Sequence, residues 1–130
     1  MKPLRAGAAF CGAFPLSLAA FFLATFFPAA NAQAMSIREL RTLEAKEKDG
    51  TLYANYYLAG VMEGLREASD ADRRAGRKPL FCVDGRRLEP SMARSLYQTE
   101  LKRNADNYEA DMPVQLVLLG ALQGSYRCAD

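Results

Sequence analysis

The sequence predicts a small all-α protein, a four-helix bundle stapled by one disulfide. Three observations carry that expectation. The stretch from Pro113 to Cys128, PVQLVLLGALQGSYRC, is apolar nearly all the way round, as suits a helix surrounded by other helices. Three earlier segments repeat apolar residues at helical spacing between cap and turn signals. Two cysteines, Cys82 and Cys128, remain once the N-terminal leader is set aside.

The leader comes first in the chain. Lys2 and Arg5 are followed by no charged residue until Arg38, and the gap holds LSLAAFFLATFF, Leu16 to Phe27. Small residues then close with Ala30-Asn31-Ala32 and Ala32-Gln33-Ala34. A basic start, an apolar middle and an A-x-A exit form a secretory signal peptide, here residues 1–34, cleaved after Ala32 or Ala34. The alternative is an uncleaved anchor, which Pro15 and Pro28 would interrupt. Residues 35–130 are then expected to form a single exported helical domain, with no membrane association after cleavage.

In the mature region, Ser36-Ile37-Arg38-Glu39 matches a capping box and opens a helix to about Lys48, with Ile37, Leu40 and Leu43 on its apolar side. Asp49-Gly50 is a stop or turn. Thr51 opens a second helix, in which Tyr53, Tyr57, Gly60, Val61, Gly64, Leu65 and Ala68 fall on one stripe. Each mid-helix glycine costs about 1 kcal/mol relative to alanine. Gly60 and Gly64, four apart, are therefore expected to admit a close neighbour, the terminal helix, whose Leu118, Ala121 and Leu122 would pack there. Two merely tolerated glycines are the alternative.

From Asp70 to Leu80 the pattern fails and a loop is expected, carrying Arg73, Arg74, Arg77 and Lys78. Phe81-Cys82-Val83 dips into the core, and Asp84-Gly85 turns the chain out again. Pro90 suits a helix first turn, and Ala93, Leu96, Tyr97 and Leu101 give a third apolar stripe to about Arg103. Asn104 to Asp111 is a polar connection, with Asp111 as the expected N-cap of the last helix.

Charge and residue inventory narrow the function. Removing Lys2 and Arg5 turns 17 basic residues into 15, against 15 acidic ones, so the mature charge is 15 − 15 = 0. That balance argues against nucleic-acid binding. Cys11 leaves with the leader; Cys82 and Cys128 can pair in one way within a monomer, and pairing between chains is the competing arrangement. An intramolecular bridge closes roughly 47 residues and contributes about 4 kcal/mol on the chain-entropy model. Histidine is absent, and oxidised cysteines offer neither nucleophile nor zinc ligand. No phosphate loop or serine elbow appears, and no cofactor or metal is expected. Glu63 and Glu67 share a helix face and are the one candidate acid/base pair, with Arg66 beside them fitting an ordinary charged surface. The inventory favours a binding protein over an enzyme.

Tyr57-Leu58-Ala59-Gly60-Val61, then Phe81-Cys82-Val83, then Ala121-Leu122-x-x-x-Tyr126-Arg127-Cys128 occur in that order behind the leader. In this the chain resembles the Rap/Tai family of type VI secretion immunity proteins, over about Leu52 to Cys128. The resemblance implies a small periplasmic helical protein, a homodimer, that binds and blocks a peptidoglycan amidase effector. The chain departs from the family pattern where Val83-Asp84 and Arg127 replace prolines, and in lacking a further cysteine pair. The matched positions are core and disulfide positions and carry over no partner contact. The local charge density beside Cys82 makes Arg73, Arg74, Arg77, Lys78, Arg86 and Arg87 the candidate partner surface, against the plainer reading of a solvated charged face. Two other functions fit the same inventory: a periplasmic acid-stress chaperone of the HdeA kind, and an envelope assembly factor.

Overall fold

The computed structural model describes residues 33–129. The expected leader, with Lys2, Arg5 and Cys11, lies outside the described residues. Among the described residues there are four α-helices: α1 (Ile37–Lys46), α2 (Gly50–Arg74), α3 (Ala93–Arg103) and α4 (Val114–Ser125). Single 3-10 turns stand at Pro90–Met92 and Ala105–Asn107. The all-α expectation and the Cys82–Cys128 disulfide are both found.

α1 begins as its sequence dictates. The Ser36 hydroxyl accepts from the Glu39 N–H, and the Ser36 N–H donates to the Glu39 carboxylate at 2.7 Å. Ile37 and Leu40 are buried, and the helix ends at Lys46, two residues short of Lys48. The next turn is tight because of Gly50. A Cβ there would lie 2.1 Å from the Leu43 carbonyl oxygen, so the backbones of α1 and α2 touch where only glycine fits. α2 therefore opens at Gly50, one residue before Thr51.

The buried face of α2 differs from the expected stripe. Ala54, Leu58, Met62 and Ser69 are buried, Tyr57, Val61 and Leu65 pack at their edge, and Tyr53, Gly60, Gly64 and Ala68 are exposed. The helix is turned by about one residue, near 100°, from the expected setting. A Cβ on Gly60 or Gly64 would meet nothing within 4 Å, so α4 does not approach them. The helix also runs on through Asp70 to Arg74, where a loop was expected. It stops in a Schellman turn: Gly76 takes φ 71°, its N–H donates to Arg73 O, and the Arg77 N–H donates to Asp72 O at 2.9 Å.

Beyond that turn the chain enters the core at Phe81 and Cys82, as expected, and leaves through a left-handed Asp84-Gly85 turn closed by Arg86 N–H to Val83 O. Pro90 opens the turn that leads into α3, which buries Ala93 and Tyr97 and half-buries Leu96 and Leu101.

α4 buries Val114, Val117, Leu118, Ala121 and Leu122. Its N-cap is Pro113, not Asp111, because the Val114 N–H already donates to Met35 O and Pro113 bridges to Ser36. α4 is not surrounded either. Leu116 is 48 % exposed, and the helix packs against α2 and α3. α2, which meets α1, α3, α4 and the Pro90 turn, is the element on which the others assemble. No helix among the described residues is long and apolar enough to cross a membrane.

Candidate functional site

The disulfide end of the bundle is built by three overlapping ties. Cys82 and Cys128 are bonded, with Cα atoms 4.8 Å apart. The Cys82 N–H donates to Tyr126 O at 2.8 Å, and the Tyr126 hydroxyl donates to Arg87 O at 2.5 Å. The Arg86 guanidinium lies 5.0 Å from the Tyr126 ring centroid and donates to four carbonyls, those of Cys82, Val83, Ser125 and Arg127. Residues 82–87 and 125–128 are thereby joined into one block. Against it, Lys78, Pro79, Leu80, Gln123, Arg127 and Cys128 line a surface hollow of about 280 Å³.

The other candidate arginines have carboxylate partners close in sequence. Arg73 pairs with Asp70 at 2.6 Å, Arg74 with Glu67 at 2.5 Å, and Arg77 with Asp72 at 2.6 Å. Arg87 pairs with Glu89 at 2.7 Å, and that bond raises its already high pKa. All four side chains are more than half exposed, so each pair is worth at most about 1 kcal/mol and re-aims readily toward a partner. The cluster is thus a mixed-charge surface, with Lys78 and Arg127 nearest the hollow. Arg86 differs from the rest, because its bonds are spent on the tail.

Of the expected packing residues, Leu118, Ala121 and Leu122 are core, and Tyr57 and Val61 flank it. The Tyr57 hydroxyl accepts from the Met35 N–H at 3.2 Å. Gly60 and Gly64 lie on the far side of α2. Glu63 turns to Arg66 at 2.8 Å and Glu67 to Arg74, so the two carboxylates engage different cations. Among the described residues, no group of three or more His, Cys, Asp or Glu side chains can hold a metal ion.

A second surface went unread in the sequence. Leu52, Tyr53 and Tyr56 stand 48, 53 and 70 % exposed on the open face of α2, which continues through Gly60 and Gly64. Tyrosine at helical spacing counts as core in a periodicity argument, although its hydroxyl lets it sit in water. The signal that could have found this face is Ala54-x3-Leu58-x3-Met62, which marks the opposite side as the buried one.

No protein-family model, curated protein or solved structure matches this chain.

Proposed function

We propose that this chain is an exported immunity protein that binds a type VI secretion peptidoglycan amidase and blocks its cleft in the periplasm. The observation that supports this reading most is the rigid block at the disulfide end. Inhibition by occlusion requires a surface that does not deform when it is inserted. Here a disulfide, an arginine clasp and a tyrosine bond fix two short segments together beside a rim of arginines paired with carboxylates. The family resemblance supplies the target class. The rim, formed by Arg73, Arg74, Arg77, Lys78 and Arg87, is the partner surface in this reading, and Arg86 serves it by holding the tail.

The test is reconstitution of the exported protein with a type VI secretion peptidoglycan amidase, reading cell-wall hydrolysis at neutral pH. Stoichiometric inhibition is expected. An Arg73/Arg74/Arg77 alanine triple should weaken it at least tenfold while leaving the helical spectrum unchanged. Unaltered inhibition by the triple removes these arginines from the interface, and no inhibition by the parent removes the function.

A further inference from the structure

We infer that the hollow beside the disulfide binds the C-terminal carboxylate of a short peptide. Lys78, Pro79, Leu80, Gln123, Arg127 and Cys128 line it. That set supplies two cations, one amide and an apolar floor, with no acidic side chain. A second hollow of equal size carries Glu39 and Asp111 and no cation among its lining residues. The positive sign therefore belongs to this place and not to the surface at large. Lys78 and Arg127 also differ from Arg73, Arg74, Arg77 and Arg87. Each of those four is held by a carboxylate, whereas among the described residues no carboxylate lies within ion-pair distance of Lys78 or Arg127.

Both cations stand on fixed backbone. Lys78 precedes Pro79, whose ring restricts the pair. The chain is held again two residues later, where Ser69 bonds the N–H and the carbonyl of Phe81. Arg127 lies between Tyr126, whose carbonyl accepts from the Cys82 N–H, and the bonded Cys128. Its own carbonyl accepts from Arg86. A guanidinium and an ammonium that line one hollow from such mounts meet an anion with little backbone ordering left to lose.

The surroundings select among anions. Gln123 belongs to the last turn of α4, whose final carbonyls lack helical partners and carry the negative end of the helix dipole. A dianion such as phosphate is disfavoured there. A peptide end brings one negative charge together with N–H donors for those carbonyls. The Gln123 side chain can donate to or accept from the peptide unit. Pro79, Leu80 and the Cys128 sulfur cover a small apolar side chain. The volume of about 280 Å³ lies just under the range of drug-sized pockets, roughly 300–1,000 Å³, and suits two terminal residues with small side chains. This inference does not depend on the amidase reading, and its test contains no effector.

The oxidised protein, expressed from its full sequence, is titrated with N-acetyl-alanyl-alanine to about 20 mM while amide chemical shifts are followed. Saturable shifts confined to residues 78–82 and 123–128 are expected, with a dissociation constant of about 1 mM. Shifts that do not saturate, or that lie elsewhere, overturn the proposal. The carboxamide form of the same peptide, and inorganic phosphate at equal ionic strength, should each bind at least tenfold more weakly. An equally tight carboxamide overturns the carboxylate contact. Equally tight phosphate reduces the hollow to an adventitious anion site and overturns the peptide. Lys78 and Arg127 are exposed, so Lys78→Gln and Arg127→Gln retain the fold, and each should weaken binding at least fivefold. Lys102→Gln, which removes equal charge at the end of α3, should leave it unchanged. Unchanged binding in the Lys78→Gln/Arg127→Gln double variant overturns the site, and so does equal weakening by Lys102→Gln.

Discussion

Ser69 sits on the buried side of α2, 3 % exposed, and satisfies both backbone polar groups of one residue, Phe81. Its hydroxyl donates to Phe81 O at 2.8 Å and accepts from Phe81 N–H at 3.2 Å. Ser69→Ala leaves that carbonyl and that N–H unpaired in the core, and the expected loss is about 2–3 kcal/mol, read as a lower urea midpoint at unchanged slope. Tyr108 gives a residue-scale effect of pH. Burial, then the hydrogen bond and charge of Glu100 at 2.8 Å, push its phenol up to about 12. An unfolded tyrosine titrates near 10, so the protonated phenol contributes stability that is complete below about pH 10 and lost as pH rises through about 12. Stability measured between pH 9.5 and 12 should fall less steeply in Tyr108→Phe. An identical slope would remove Tyr108 as the cause.

At the scale of elements, two glycines of α2 give opposite outcomes. Gly50→Ala drives a methyl group into the Leu43 carbonyl and should cost at least about 2 kcal/mol as the α1–α2 turn opens. Gly64→Ala meets nothing and should raise monomer stability by up to about 1 kcal/mol, measured at low protein concentration. The existence of all four helices was legible in the sequence, because caps and turns are local chemistry. The Ser36 box, Pro90 and the Asp84-Gly85 turn each act within four residues. The rotation of α2 was not legible. Its sequence carries two competing stripes, and choosing between them needs the neighbours that Ala54, Leu58 and Met62 touch. The end of α2 was missed for a related reason: Gly76 reads as a loop residue until its bonds to the last turn are seen. The basic cluster was legible as charge. Its pairing with Glu67, Asp70, Asp72 and Glu89 was not, since those pairs depend on the helix continuing to Arg74 and on the fold around Arg87.

For the whole molecule, the bridge between the middle and the tail dominates stability. Removing it in Cys82→Ser/Cys128→Ser, a separation of 46 residues, should cost about 4 kcal/mol in chemical denaturation. Much of the tail's docking should survive, because Arg86 and Tyr126 hold it independently; Arg86→Ala added to the double serine variant should then release the tail, seen as hydrogen exchange at residues 125–128. The other end of the described region is gripped as well. Ile37 N–H donates to Met112 O, Arg38 N–H to Ala110 O and Val114 N–H to Met35 O. A tug on either end therefore strains several bonds together instead of unzipping them one by one. Under a load applied between residues 35 and 128, yielding should therefore begin in the interior, near the polar stretch 104–109, before either gripped segment lets go.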